Sequence, residues 1–406
     1  MIPRLSRLTL LLVFLVGLGI GSRGQSQDQT ESSGSTAVSA DGSDGESSDG
    51  VKEHLDRVRR HTFHPLNDDG GMTIDRELRV HGIADLDNRD GRTRLLAIAG
   101  LVRALPGSID AVIAGLSDED LHVRQVAAAA LGIARMTESS EDLERLLMGD
   151  PSPVVRSQAA ISLGQMESSA SMDVLHRTRR EDPSRDVRHQ CELAIDQIEK
   201  EAGATDAHRE SFREMNEEAF GTVEAGDSAP DFELLDADGR CWRLGEANSG
   251  RWVVLIWIFA DWCPVCHGEF RDLIDSKDSF ESAGVAVATL ECHDRYRCRV
   301  MAGRELAPEY WFEKKAPQPL YKSGVWWPHL VDQAGTIAAR YGAEPMSFAV
   351  HAEYINRPTT VIIDPSGTVR FAYRGTYWGD RPTVEQTLEM IRDERFDFEH
   401  PNRRGR

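Results

Sequence analysis

Three Val-Arg pairs spaced 32 residues apart, Val123-Arg124, Val155-Arg156 and Val187-Arg188, constrain this 406-residue chain more than any other feature. Arg92 falls one period earlier, and Asp118, Asp150 and Asp182 each stand six residues before a repeat arginine. Small and apolar residues follow each pair: Ala127, Ala128, Ala130, Leu131 and Gly132 in one copy, then Ala159, Ala160, Leu163 and Gly164 in the next. The third copy degenerates to Cys191, Ala194 and Ile195. Small residues at i, i+3 and i+4 let helices stack closely, and each helix pair buries its apolar face only against its neighbour. An α-solenoid is expected over residues 85–203. Its Asp and Arg positions should form a structural ladder, Cys191 should be a buried, inert thiol, and its surface is a candidate site for a protein partner.

The shared VR-x-x-A-x-x-A-L-G pattern resembles the short HEAT repeats of the phycobilisome-lyase type. Composition places other segments around this array. Residues 25–50 hold no aromatic residue and almost nothing apolar, so they read as a disordered Ser/Gly/Asp-rich spacer. Residues 51–84 look partly helical and carry no assignable role. A connecting helix is expected over 204–221. Before the spacer, residues 1–24 have the form of a secretory signal: Arg4 and Arg7, then an apolar stretch from Leu8 to Ile20. That predicts work outside the cytoplasm, periplasmic or secreted, where disulfides persist. An uncleaved N-terminal membrane anchor is the alternative. The charge balance, 47 Lys+Arg against 67 Asp+Glu, offers no basic footprint for nucleic acid.

Chemistry concentrates at residues 252–267. An apolar run from Trp252 to Phe259 leads through Ala260-Asp261 to Trp262-Cys263-Pro264-Val265-Cys266 and His267. A buried strand that delivers Cys-x-x-Cys to the first turn of a helix builds a reactive thiol, because the unpaired helix N–H groups stabilise a thiolate. Pro264 suits the first helical position, since it has no N–H to leave unpaired. The expected thiolate is Cys263, with Cys266 on the same helix face able to close a disulfide with it. Asp261 opposes that thiolate, and His267 reads as a helix-surface residue. Zinc is disfavoured, because no second Cys pair stands at ligand spacing, so no metal is expected. The segment Cys263-x-x-Cys266-His267 also spells the c-type haem attachment motif, which makes a haem electron carrier an alternative; otherwise no cofactor is expected beyond the redox-active disulfide.

Around this motif the pattern alternates strands and helices: a hairpin at 232–244, strands at 252–259 and 285–290, a helix from Cys263 to about Phe280, and a strand–helix unit from His329 to Tyr341. A closing hairpin (Pro358–Asp364, Val369–Tyr373) and a helix at 383–392 complete it. This argues a mixed sheet flanked by helices. The segments GDSAPDFELLDADG, ADWCPVC, PHLVDQAGTIAARYGA and RPTTVIIDPSG together resemble a redoxin domain (AhpC/TSA, thioredoxin-like superfamily) over residues 222–395, leaving 396–406 as a polar tail. The expected fold class is therefore multidomain, a HEAT-like α-solenoid followed by an α/β thioredoxin-like fold.

The resemblance has two branches. Thioredoxin-like disulfide reductases imply Cys263 as nucleophile and Cys266 as resolving thiol, with Trp262, Arg357 and a cis Pro358 lining the substrate site. The implied partners are client protein or small-molecule disulfides and an upstream thiol reductant or oxidant. Peroxiredoxins imply a thiol peroxidase, but the positions of their pocket hydroxyl and proline are Ala260 and Ile256, and their arginine position falls at Pro358, beside Arg357. A scaffold with an idle redoxin domain is a further alternative. The insertion at 291–355 holds Cys292, Cys298, Trp311, Trp326, Trp327 and His351. A structural disulfide between Cys292 and Cys298 is the favoured reading; a second redox pair, or a pairing of Cys241 with either, stays open.

Overall fold

The structure, a computed structural model, describes residues 47–63, 88–306, 321, 324–333, 335–343, 346–350, 353–375 and 379–398. The signal-like segment, most of the acidic spacer, Gly70-Gly71, Ile74–Val80, Trp311 and His351 lie outside the described residues. Among the described residues, no helix is long and apolar enough to cross a membrane.

The N-terminal half is helical: α1 (Ser48–Arg60), α2 (Asn88–Ala104), α3 (Ile109–Ala114), α4 (Leu121–Ala134), α5 (Ser140–Gly149), α6 (Pro153–Gln165), α7 (Met172–Glu181), α8 (Arg185–Glu199) and α9 (Asp206–Glu214). The repeat positions explain the stacking. In α4, α6 and α8 the recurring Val123, Val155 and Val187 are buried, with Ala127, Ala130, Ala159, Ala160 and Cys191 between the helices. Burial pushes the Cys191 thiol well up, as an inert core cysteine requires.

The ladder has two rungs per arginine. Arg124 donates to the Asp118 carbonyl at 2.8 Å and to both Asp150 carboxylate oxygens, at 2.7 and 3.0 Å. Arg156 repeats this with the Asp150 carbonyl and the Asp182 carboxylate. Each guanidinium thus fixes its own loop and the next repeat, a bidentate geometry that only arginine provides. At the N-terminal end, Asp118 takes Arg59 of α1. Arg92, one period before Arg124, instead lies over the Phe220 ring. The described part of the segment without an assignable role, residues 51–63, packs onto the solenoid: Val51, Leu55 and Val58 join its core.

Gly132 and Gly164 sit where successive repeat helices touch. A Cβ on Gly164 would meet Ala194 Cα at 2.8 Å, and one on Gly132 would meet Ser162 Cα at 2.7 Å. The backbones must part to admit it. Gly164→Ala is expected to destabilise the protein by about 1–3 kcal/mol, read as a lower urea midpoint; an unchanged midpoint would contradict this packing.

The second half contains β1 (Glu233–Leu235), β2 (Cys241–Arg243), α10 (Leu244–Ala247), β3 (Trp252–Trp257), α11 (Pro264–Asp275), α12 (Lys277–Ala283), β4 (Val285–Glu291), α13 (Arg295–Met301), β5 (His329–Val331), α14 (Thr336–Tyr341), β6 (Met346–Val350), β7 (Glu353–Ile355), β8 (Thr359–Ile363), β9 (Val369–Arg374) and α15 (Val384–Asp393). The central sheet has the order β5-β4-β3-β8-β9, with β3, β4 and β5 parallel and β8 and β9 antiparallel. Both faces are covered, so β3 reads as a continuous apolar run rather than an alternation. Val254 and Ile256 pack with Phe270 and Leu273 of α11 and Ile391 of α15. Val253, Leu255 and Trp257 pack with Ile337 and Tyr341 of α14. The long helix expected from Cys263 to Phe280 is broken at Ser276, the residue between α11 and α12.

The repeats carry the second half on their own surface. Tyr296 of α13 donates to Asp196 at 2.6 Å, and Gln197 donates to Asp294 at 2.7 Å. The Lys200 ammonium lies 4.2 Å from the Tyr296 ring centroid. A small cleft of about 90 Å³ lies between the two halves, lined by Gln158, Gln165 and Phe212 on one side and Cys292, His293 and Arg297 on the other.

Candidate active site

The Cys-Pro-Val-Cys segment stands where β3 ends and α11 begins. Cys263 is the N-cap with extended backbone (φ −76°, ψ 118°), and Pro264 opens the helix. Both sulfurs lie inside the protein and are not joined: Cys263 is 1% exposed and Cys266 0%. The expectation of an exposed Cys263 is thus corrected. The surface directly above the pair is apolar, with Val265 37% exposed, Pro264 also exposed and Trp262 half-buried, its ring edge-on to Phe259.

The two sulfurs do not share charge as expected. The Cys263 thiol donates its hydrogen bond to Cys266, which with burial holds Cys263 well above the ordinary thiol range. Burial pushes Cys266 up too, but the Cys263 S–H, the Arg381 guanidinium and the Ala260 and Phe259 N–H groups overcome it and hold Cys266 well below. The contacts are direct: Cys266 Sγ accepts from the Phe259 N–H at 3.3 Å and from Arg381 Nη2 at 3.2 Å. The contacts that stabilise negative charge thus gather on Cys266, the reverse of the stabilisation expected at Cys263.

Arg381 was not legible as a site residue. It follows Asp380 in the stretch between β9 and α15, carries no motif, and reaches the pair only because the chain folds back over α11. Its other partner is Glu269, one turn beyond Cys266, whose Oε2 lies 3.0 Å from Arg381 Nη1. Burial pushes the Glu269 carboxyl up to about 7, outweighing the pull of Arg381. The unfolded chain would release this proton near 4.5. The folded state thus binds more proton between those values, and stability present at low pH is lost as pH rises through about 7. Relative to Glu269→Gln, the wild type should lose about 3 kcal/mol between pH 4.5 and pH 8, measured by urea unfolding at both ends. Parallel pH profiles for the two proteins would contradict this assignment.

Four further expectations change. The Arg357–Pro358 bond is trans; the one cis peptide bond among the described residues is Leu105–Pro106. Pro358 nonetheless lies one residue beyond the Trp257–Thr359 pair of β3 and β8, beside the strand exit that leads to Cys263. The half-buried Arg357 precedes it, and its carbonyl accepts from the Thr359 hydroxyl at 2.9 Å. The Cys292 and Cys298 sulfurs are not joined. Cys298 points inward from α13 and donates to the His293 carbonyl at 3.7 Å, so helix formation after the Asp294 N-cap separates residues that a loop would have let meet. His267 is buried, not on the helix surface, and pairs with the Tyr321 hydroxyl at 2.7 Å. Asp261 is buried in a bidentate pair with Arg297, which neutralises the charge expected to oppose the thiolate.

Comparison with known proteins agrees with this architecture. Residues 225–372 match the AhpC/TSA family, and residues 109–196 match HEAT repeats. This is a redoxin domain behind HEAT repeats. The redoxin segment is 25% identical over 170 residues to the thiol-disulfide oxidoreductase ResA of Geobacillus thermodenitrificans, covering 42% of this chain and 79% of that protein. It is also 25% identical over 171 residues to the chloroplastic peroxiredoxin Q of Oryza sativa subsp. japonica, covering 42% of this chain and 68% of that protein. Among solved structures, the peroxidoxin BcpB from Mycobacterium tuberculosis matches with a TM-score of 0.30 and 21% identity, covering 43% of this chain and 94% of that one. The redoxin fold thus has relatives of both enzyme types named in its sequence resemblance.

Proposed function

We propose that this chain is an exported thiol–disulfide oxidoreductase whose redox pair is Cys263 and Cys266. The observation that carries the reading is the geometry of the pair: Cys263 caps α11, and Cys266 Sγ one turn inside accepts from the Phe259 N–H and from the Arg381 guanidinium, which favour a thiolate there. The Cys266 thiolate is the base that takes the proton from Cys263 when a client disulfide arrives. The Cys263 thiolate then attacks one client sulfur, the client S–S bond breaks, and the departing sulfur leaves as a thiolate that takes a proton. Cys266 then attacks Cys263 Sγ and gives the transferred proton to the departing client sulfur, which releases the second client thiol and closes the Cys263–Cys266 disulfide. Two electrons pass to the client, and its two thiols gain two protons. One comes from the pair; the other comes from solvent or from the Glu269 carboxyl. An upstream dithiol must reduce the enzyme again.

Burial of Cys263 means that a client first displaces neighbouring chain, with the apolar surface of Val265, Pro264 and Trp262 as its landing place. Export rests on the Arg4 to Ile20 segment. A thiol peroxidase is the second reading, favoured by a guanidinium beside the sulfur pair and opposed by Ala260, which offers no hydroxyl to a peroxide. The haem alternative fits poorly: both sulfurs are enclosed, and His267 is bound to Tyr321. Insulin-disulfide reduction and hydrogen peroxide consumption, assayed on one preparation, separate the two enzymes. Reduction of insulin with slow peroxide turnover is expected; rapid peroxide turnover with inert insulin would overturn the oxidoreductase reading.

A further inference from the structure

Behind Asp261, on the face of β4 and β5 that α11 and α13 cover, five metal-ligating side chains meet inside the protein. Glu291 stands at the centre. Its Oε1 is 2.6 Å from His293 Nδ1, and its Oε2 is 2.9 Å from His329 Nε2. Cys298 Sγ, His329 and the Glu291 carboxylate offer donor atoms that all lie within 4.8 Å of one another, and so do Asp261, Glu291 and His293. All five residues are buried. The redox chemistry above uses none of Glu291, His293, Cys298 and His329.

The surroundings choose between the two sets. Both Asp261 oxygens are already engaged by Arg297, and that guanidinium repels a second cation at the same carboxylate. Among the described residues, the side-chain hydrogen bonds of Cys298, His329 and Glu291 run to the His293 carbonyl, Thr289, His293 and one another rather than to a guanidinium. It also has outer support of the kind that fixes metal ligands. His329 Nδ1 is 2.8 Å from Thr289 Oγ1, which orients the ring and aims Nε2 at Glu291. Thr289 is held in turn by Trp327 Nε1 at 2.9 Å, and Glu291 by His293. The topology makes this placement unavoidable: Thr289 pairs with His329 across β4 and β5, and Glu291, two residues on, shares their face.

We propose that Cys298, His329 and Glu291 form a binding site for a divalent cation of the zinc type. A thiolate, an imidazole and a carboxylate suit Zn²⁺, whose bonds of about 2.0–2.3 Å place tetrahedral ligand atoms roughly 3.5 Å apart. The donors lie within 4.8 Å of one another, so side-chain adjustment can close them around an ion. Two protein charges, from Cys298 and Glu291, neutralise the ion, and a fourth position remains for water or a neighbouring donor. The sequence hid this set, because its ligands come from the end of one strand, the middle of a short helix and the start of another strand. No Cys-x-x-Cys spacing marks it.

Cobalt(II) titration of the full-length protein tests the site under a thiol-free phosphine reductant. The background is Cys263→Ser/Cys266→Ser, which removes the redox sulfurs as competing ligands. The expected result is one equivalent of bound cobalt with a sulfur-to-cobalt charge-transfer band and the intense visible bands of a four-coordinate ion. Cys298→Ser abolishes the charge-transfer band. His329→Gln keeps the thiol and weakens cobalt binding at least about tenfold; circular dichroism verifies that each variant is folded. Should Cys298→Ser unfold, loss of affinity in His329→Gln carries the test alone. Absence of stoichiometric binding, or a band that survives both substitutions, would overturn the proposal and leave a hydrogen-bonded cluster of two histidines on one carboxylate.

Discussion

Cys266→Ser is expected to accumulate a covalent mixed disulfide with its client, whereas Cys263→Ser accumulates none and reduces insulin at the background rate. The difference follows from position. Cys263 caps α11 beneath the apolar surface that a client first meets, while Cys266 lies deeper, enclosed by Phe259, Arg381 and Glu269. Without Cys266 the attack on the client still occurs, but nothing resolves the bond. Formation should be slower than in the wild type, because Cys266 is also the base that frees the Cys263 sulfur. Non-reducing gels and peptide mapping of the trapped species read the result. A mixed disulfide carried by Cys266 in the Cys263→Ser protein would assign the nucleophile to the other sulfur.

The second large effect is expected at Arg381. Its guanidinium lies 3.2 Å from Cys266 Sγ and stabilises the charged, reduced pair, whereas the disulfide carries no charge for it to hold. Arg381→Gln should therefore raise the pH at which the pair becomes alkylatable by iodoacetamide by about 1–3 units. The same loss makes the pair more reducing, by roughly 30 mV for each tenfold change in the equilibrium. Arg381→Gln also strands Glu269 as a buried acid without its cation, and breaking such a pair costs about 3–5 kcal/mol unless the acid takes up a proton. Arg381→Lys keeps the charge and should restore most of the alkylation profile. A profile indifferent to both substitutions would remove Arg381 from the site.

How much of this was legible follows from the range of each signal. The repeats could be read because their period is written in neighbouring residues: the six-residue Asp–Arg spacing is the bond from Arg124 to the Asp118 carbonyl. The stronger bond, from Arg124 to Asp150, joins successive repeats and is invisible within one copy. The strand, the cysteine pair and Pro264 could be read for the same local reason. The charge on the pair could not, since Arg381 comes from a segment 115 residues away and Glu269 is an ordinary helical acid by sequence. Local reasoning misassigned Cys292 and Cys298 because Asp294 caps a helix that turns Cys298 into the core. Pro358 was given a cis bond from its family resemblance; its neighbourhood beside Cys263 follows from the β3–β8 register instead. Nothing in the repeat pattern indicated that part of the solenoid surface is occupied by its own redoxin domain through Asp196 and Gln197.

Equilibration of the purified protein across glutathione redox buffers, followed by acid quench, alkylation and peptide mapping, examines the redox pair most directly. The account predicts a single two-electron transition in which the peptide carrying Cys263 and Cys266 gains an internal disulfide, while Cys191 and Cys298 remain thiols. A disulfide that forms elsewhere first, or a Cys263–Cys266 segment that stays reduced in every buffer, would contradict it.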